Sequence, residues 1–215
     1  MQPATDPSIN YKTLVQQSYD CCASAYDQAR QREANPELAL VSSRLTDGAQ
    51  VLDIGCGAGV PIARALAQCF SVTGVDISGE QIRLARQHVP SGTFIHADIM
   101  TVDFPEAIFD AVVSFYAIFH IPREEHAELL GRIRRWLKPG GYLLATVAAQ
   151  EETPYTEGDF FGVQMYWSNY GLDYYCRLLK SLGYQLLETT VIKHGYTEKQ
   201  DRATEHHPLI FAVAV

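Results

Sequence analysis

The chain has 215 residues, 47% of them apolar, and a formal net charge of −8. Length and composition suit one domain, residues 1–215, with a full core; the acidic balance argues against nucleic acid as a partner, and no run approaches the ~18 apolar residues of a membrane span. Cys21, Cys22, Cys56, Cys69 and Cys176 form no C-x-x-C pair and the N-terminus has no signal-peptide pattern, so the expectation is a cytoplasmic protein without a metal, its oligomeric state unread.

Residues 1–10 carry Pro3 and Pro7 and are expected to form a mobile tail. Tyr11 to Arg32 reads as one or two helices, with Leu14, Tyr19, Cys22, Tyr26 and Ala29 at helical spacing. Asn35 is placed to cap a further helix to Leu45, with Pro36 in its first turn, and Asp47-Gly48 ends it. Residues 1–47 thus form a helical cap. A short apolar run then meets Asp53, glycines alternate at Gly55, Gly57 and Gly59, and a helix follows from Ile62 to Gln68. Strand, glycine turn, helix is how an open parallel sheet builds a nucleotide site at its C-terminal edge. The dinucleotide fingerprint is G-x-G-x-x-G, whereas here the third glycine comes one residue early. On this segment alone, a structural turn in an NAD-binding or other α/β protein stays open.

The next strand, Phe70 to Val75, ends in Asp76, where a carboxylate suits the two hydroxyls of a ribose. Ile77 leads into a helix from Glu80 to His88. The strand Thr93 to Ala97 ends in Asp98-Ile99. Phe109 to Ser114 opens into Phe115-Tyr116-Ala117-Ile118-Phe119-His120. Arg132, Arg134 and Arg135 read as a solvated helix face, and His126 as solvent-facing. Trp136-Leu137-Lys138-Pro139-Gly140-Gly141 precedes a strand from Tyr142 to Ala148. Residues 150–168 read as an irregular, aromatic-rich stretch and a substrate lid. Ser168 or Asn169 caps a helix to Leu182, stopped by Gly183. Strands Tyr184 to Lys193 and Leu209 to Val215 follow, with His206-His207 between them placed to reach the same opening. The alternation of strand and helix predicts an α/β fold with a mainly parallel sheet.

Asp53-x-Gly55-x-Gly57-x-Gly59, the strand-end acids Asp76 and Asp98, and Leu137-Lys138-Pro139-Gly140-Gly141 resemble the motifs of class I S-adenosylmethionine-dependent methyltransferases. Tyr19-Asp20 and Tyr26-Asp27 resemble the N-terminal helix of small-molecule members. The likeness runs over roughly residues 10–215. It implies a Rossmann-like, seven-stranded, mostly parallel sheet with helices on both faces and the last strand antiparallel. It also implies S-adenosyl-L-methionine as cofactor. Gly55, Gly57 and Gly59 with Cys56 between them then line the methionine part, Asp53 organises amide donors or meets the ammonium through water, and Ser114 accepts from that ammonium. Asp76 with Ile77 holds the ribose, Asp98 accepts from the adenine amine, and the Ile99 amide donates to the ring. Phe115 touches the adenine or the sulfonium, and Tyr26 and Tyr19 reach the cofactor carboxylate.

Such a site transfers a methyl group to an oxygen or nitrogen of a small, apolar or aromatic metabolite. His120, beyond the fourth strand, is the candidate base, because its ordinary pKa suits neutral pH. Tyr116, Phe119, Tyr155, Phe160, Tyr166 and Trp167 are the candidate substrate contacts. A non-catalytic S-adenosylmethionine-binding module, a nucleic-acid methyltransferase and an NAD dehydrogenase are the alternatives.

Overall fold

A computed structural model of the chain describes residues 10–31, 35–192 and 207–215. The tail expected at residues 1–9, the end of the first helix at Arg32 and His206 lie outside the described residues. Helix α1 (Tyr11–Arg30) is capped by Asn10, whose side chain accepts from the Thr13 amide. The helix expected from Asn35 to Leu45 is shorter: a 3-10 turn at Pro36–Leu38 and one turn of helix, α2 (Ala39–Ser42), and Asn35 makes no side-chain cap bond. At its end the Ser43 hydroxyl donates to the Ala39 carbonyl at 2.6 Å, the kind of local bond that competes with helix propagation.

The strands are β1 (Gln50–Ile54), β2 (Ser71–Asp76), β3 (Thr93–His96), β4 (Phe109–Ser114), β5 (Leu137–Thr146), β6 (Glu152–Phe160), β7 (Val163–Asn169), β8 (Tyr184–Ile192) and β9 (His207–Ala214). Helices α3 (Ile62–Leu66), α4 (Gly79–His88), α5 (His126–Trp136) and α6 (Leu172–Ser181) connect them. Seven strands form one sheet in the order β3-β2-β1-β4-β5-β9-β8. The first five run parallel, and β9 inserts antiparallel between β5 and β8, as the resemblance implied. Order reverses between β2-β1 and β4, which is where open α/β sheets bind ligands.

Each face of the sheet carries its own core. Leu52, Ile54, Val112 and Leu143 pack on one side with α5 and α6, through Leu129, Ile133, Trp136, Tyr175 and Leu179. Val51, Val72, Ala111, Val113 and Leu144 pack on the other with α3 and α4, through Ile62, Leu66, Ile82 and Ala85. Burying each such aliphatic or aromatic side chain stabilises the fold by roughly 1.5–3 kcal/mol.

Four further expectations are corrected. Residues 150–168 are not irregular: most of them form the antiparallel β6–β7 hairpin, a sheet of its own. The helix after it starts at Leu172 behind Gly171, not at Ser168 or Asn169, because the Ser168 hydroxyl accepts from the Arg123 amide and the Asn169 amide donates to the Gln150 carbonyl. Gly183 does stop that helix, at a φ of 82°. His126 does not face solvent; it is fully buried, its Nε2–H donating to the Ile121 carbonyl and its Nδ1 accepting from the Tyr175 hydroxyl. Arg132 is buried too, its guanidinium donating to the Met100 and Val102 carbonyls and stacking on Trp136. Arg135 alone of the three arginines is exposed.

Candidate functional site

The turn after β1 is built by its glycines. Gly55 has a φ of 68°, and a Cβ there would lie 2.2 Å from the Ala117 Cβ. An L side chain pays about 1–2 kcal/mol for the left-handed backbone alone, before that clash. Gly55→Ala should therefore lower the melting temperature by several degrees, and Ala117→Gly should return only the steric part. A Gly55→Ala melt equal to wild type would contradict this view of the turn.

Gly57 follows in the same left-handed region, at 52°, and its amide donates to Asp76 Oδ2 at 2.9 Å. Asp76 Oδ1 accepts from the Ser78 amide at 2.9 Å. The end of β2 is thereby tied to the turn after β1, and each carboxylate oxygen keeps acceptor capacity for a ligand. Seclusion from bulk water raises the Asp76 pKa, opposed by those two amides.

Gly55, Gly57, Asp76, Ile77, Asp98, Ile99, Phe115, Tyr116, Tyr19, Tyr26 and His120 line one cavity at the C-terminal edge of the sheet. Helix α1 forms its opposite wall through Lys12, Val15, Tyr19 and Tyr26. Polar contacts along its length hold α1 there. Lys12 bridges Asp98 at 2.8 Å and Glu125 at 2.6 Å. The Ser78 hydroxyl donates to Asp20 at 2.6 Å. Tyr19 meets His120 at 2.9 Å. Burial opposes the charge on Lys12, but the two carboxylates outweigh it and raise its pKa.

A smaller cavity adjoins the first, lined by Asp53, Cys56, Tyr26, Arg30 and the same glycine turn. Arg30 is buried, its guanidinium over the rings of Tyr26 and Tyr116. Asp53 is 1% exposed, and its Oδ2 has no hydrogen-bond partner. Burial, with the Asp76 charge, pushes the Asp53 carboxyl up to about 7, while Arg30 pulls it down. Between its ordinary value of 3.8 and about 7 the folded chain holds a proton that the unfolded chain releases. Stability therefore falls as pH rises through that window and is level above it. Asp53→Asn removes the loss, so the variant should melt higher than wild type at pH 8, with the gap closing near pH 4. A gap independent of pH in circular-dichroism melts would refute this.

His120 is buried among rings of Tyr19, Phe119, Phe160 and Trp167. Its Nδ1 lies 2.8 Å from the Tyr166 carbonyl, which only accepts, so that nitrogen carries the proton. Nε2 then has the lone pair, and the Tyr19 hydroxyl donates to it. Burial pushes the His120 pKa down to about 4, against the Tyr166 carbonyl that raises it, so the near-neutral titration expected of it from the sequence is corrected: its claim as a base rests on its position and its bond to Tyr19. Burial likewise drives the Tyr19 phenol well above its usual value.

Some residues singled out in the sequence lie elsewhere. Ser114 and Gly59 line neither cavity. The Ser114 hydroxyl donates to the Ile54 carbonyl, and the space beside Gly59 is filled by Ala85 and Val89 of α4. Phe119, Tyr155 and Trp167 line a separate chamber, and His207 joins them. Tyr166 is stacked on Tyr11 at 4.3 Å in a small core between α1 and the hairpin. Phe160 bridges that hairpin to the rings of Tyr19 and Tyr26. Cys56 is buried and its thiol pKa is raised well above the usual value, which suits a spacer and not a nucleophile.

Three residues carry no motif yet stand in the walls: Lys12, Arg30 and Gln81. Gln81 is 1% exposed in the first turn of α4, and neither its Oε1 nor its Nε2 has a hydrogen-bond partner. A buried amide without partners costs roughly 1–3 kcal/mol. Among the described residues, no group of His, Cys, Asp and Glu could hold a metal ion, and no helix is long and apolar enough to cross a membrane.

Residues 51–141 match the family model described as a methyltransferase domain. An uncharacterised methyltransferase of Mycobacterium tuberculosis is 41% identical over 49% of this chain and 54% of its own length. The 27-O-demethylrifamycin SV methyltransferase of Amycolatopsis mediterranei is 34% identical over 47% of this chain and 43% of its own. The chain spans about half the length of these relatives. Among solved structures, the Burkholderia thailandensis 1,6-didemethyltoxoflavin-N1-methyltransferase, with 1,6-didemethyltoxoflavin and S-adenosylhomocysteine bound, superposes with a TM-score of 0.73. It is 20% identical, over 99% of this chain and 92% of that one.

Proposed function

We propose that the chain is a class I S-adenosylmethionine-dependent methyltransferase, a reading that the match of residues 51–141 to a methyltransferase domain supports, and that it transfers a methyl group from S-adenosylmethionine to an oxygen or nitrogen of a small molecule. The observation that carries the reading is the pattern of buried polar atoms without partners around the glycine turn: Asp53 Oδ2 in the smaller cavity, Gln81 Oε1 and Nε2 in the larger. An apolar ligand would leave all three desolvated and unpaired, whereas a zwitterionic nucleoside has groups for each.

The residues present fit such a cofactor. Asp53 and Arg30 offer opposite charges to an amino acid's ammonium and carboxylate. Asp76 takes the ribose diol, and Gln81 adds an amide to the polar contacts of the nucleoside. Asp98 faces the base once Lys12 shares or yields its oxygen. The bound cofactor would supply a methyl group on a sulfonium, so that in-line attack breaks the carbon–sulfur bond, forms a carbon–oxygen or carbon–nitrogen bond and leaves the electron pair on sulfur. The chain excludes water through α1 and the aromatic layer around His120. It also receives the proton of the acceptor: the acceptor gives it to the Tyr19 oxygen as the Tyr19 proton passes to His120 Nε2. Tyr19 thereby moves from the cofactor carboxylate to the base, and Arg30 takes its place.

The direct test supplies S-adenosylmethionine with a panel of phenols, amines and carboxylic acids and measures S-adenosylhomocysteine. Product formed only with an acceptor present supports the reading. Cofactor binding without turnover on the whole panel would favour a non-catalytic binding module.

A further inference from the structure

Phe119 and Trp167 line a chamber of ≈ 360 Å³, against ≈ 90 Å³ for the cavity beside Asp76 and Gln81. The two are separated by one layer of rings. Trp167 lies 4.4 Å and Phe119 5.1 Å, centroid to centroid, from His120, which lines the narrower cavity. The chamber is bordered by residues 148–150 beyond β5, by His207 at the start of β9 and by the β6–β7 hairpin, from which Tyr155 adds a third flat face.

Its chemistry is one-sided. Among the described residues that line it, Glu152 and Glu157 are acidic and none is a lysine or arginine. Arg123, the cation near the hairpin, is engaged outside the chamber with Glu151 at 2.9 Å. The indole Nε1–H of Trp167 is buried with no hydrogen-bond partner, although the ring stands in the chamber wall. A desolvated donor of that kind is costly unless a ligand accepts from it. Aromatic faces beside carboxylates attract a cation on two counts, by the ring quadrupole and by charge.

Resting on the methyl-transfer reading, the geometry points to this chamber as the acceptor site and to arylalkylamines, which are cations at neutral pH, as the acceptor class. The ring lies against the wall that Phe119 and Trp167 form together, their centroids 5.3 Å apart, the ammonium faces Glu152 and Glu157, and an oxygen or ring nitrogen accepts from the Trp167 indole. Rotation of Phe119 opens the layer beside His120 and joins the chamber to the cofactor cavity.

Two probes with the same hydroxyphenylethyl skeleton and opposite end charges test this: tyramine and 3-(4-hydroxyphenyl)propionate. Calorimetric titration, with S-adenosylhomocysteine present, is expected to show tyramine binding at least tenfold tighter. The double variant Glu152→Gln, Glu157→Gln should erase that preference, and Trp167→Phe should weaken tyramine severalfold, both with S-adenosylhomocysteine affinity unchanged. S-adenosylhomocysteine binding with no preference for tyramine, or with a preference that survives the double variant, overturns the chamber assignment and leaves methyl transfer standing. Tyramine binding with no S-adenosylhomocysteine binding overturns methyl transfer, and with it the acceptor role of the chamber.

Discussion

Asp76→Ala should lose S-adenosylhomocysteine affinity by at least a hundredfold in a calorimetric titration. The carboxylate is the shared anchor of the Gly57 and Ser78 amides, 2.9 Å from each, so it shapes the turn as well as meeting the ligand. Hydrogen bonds to a charged group are worth about 1.5–3 kcal/mol each. Losing two ribose contacts therefore removes about 3 kcal/mol or more, and each 1.4 kcal/mol is tenfold in affinity. Asp76→Asn keeps one acceptor oxygen and should fall between the two. A thermal melt separates loss of the fold from loss of the site, because Asn preserves the size of the side chain. Near-wild-type affinity in the alanine variant would mean that the ribose is not held at the end of β2.

His120→Ala should reduce kcat by about 10²–10⁴ with an alcohol or phenol acceptor, the usual contribution of a positioned base, while the affinity for S-adenosylhomocysteine changes little. The Tyr166 carbonyl fixes the tautomer and the Tyr19 hydroxyl occupies the lone pair, so the pair acts as a unit. Tyr19→Phe should then lose a similar share of turnover, and the double variant should lose little more than either single one. Burial holds the His120 pKa down to about 4, so the imidazole keeps its lone pair at every higher pH. The acid limb contributed by this residue should therefore appear only as pH falls through about 4, not near the ordinary histidine value of 6.5. With a neutral amine acceptor no base is required for attack, and His120→Ala should be nearly silent. Equal, small effects on both acceptor types would remove His120 from the chemistry.

The sheet and the glycine turn were legible because their signals are local. Short apolar runs end in Asp53, Asp76 and Asp98, and β1 and β2 are each followed by a helix within a few residues. The β6–β7 hairpin was not legible for the opposite reason: Pro154, the scattered acids and two register irregularities break the alternation that marks a strand. His126 looked like a surface residue after two glutamates, yet it is buried against Tyr175, 49 positions on. Arg132 was hidden in the same way, by carbonyls some 30 residues earlier. Gln81 and Arg30 are polar helix residues of ordinary appearance; only the packing of α4 and α1 against the glycine turn buries them beside the cavities. His120 was picked for its position after β4, but its pairing with Tyr19 depends on α1 crossing the site, which no motif spacing encodes.

The account rests on a nucleoside held between the turn after β1 and the acids that end β2 and follow β3. A crystal structure with S-adenosylhomocysteine bound measures this directly. It should place the ribose hydroxyls on Asp76, the amino-acid end between Asp53 and Arg30, and the sulfur facing Tyr19. Density for the nucleoside anywhere else, or a turn at Gly55–Gly59 still packed against α1 with the ligand absent at saturating concentration, would contradict it.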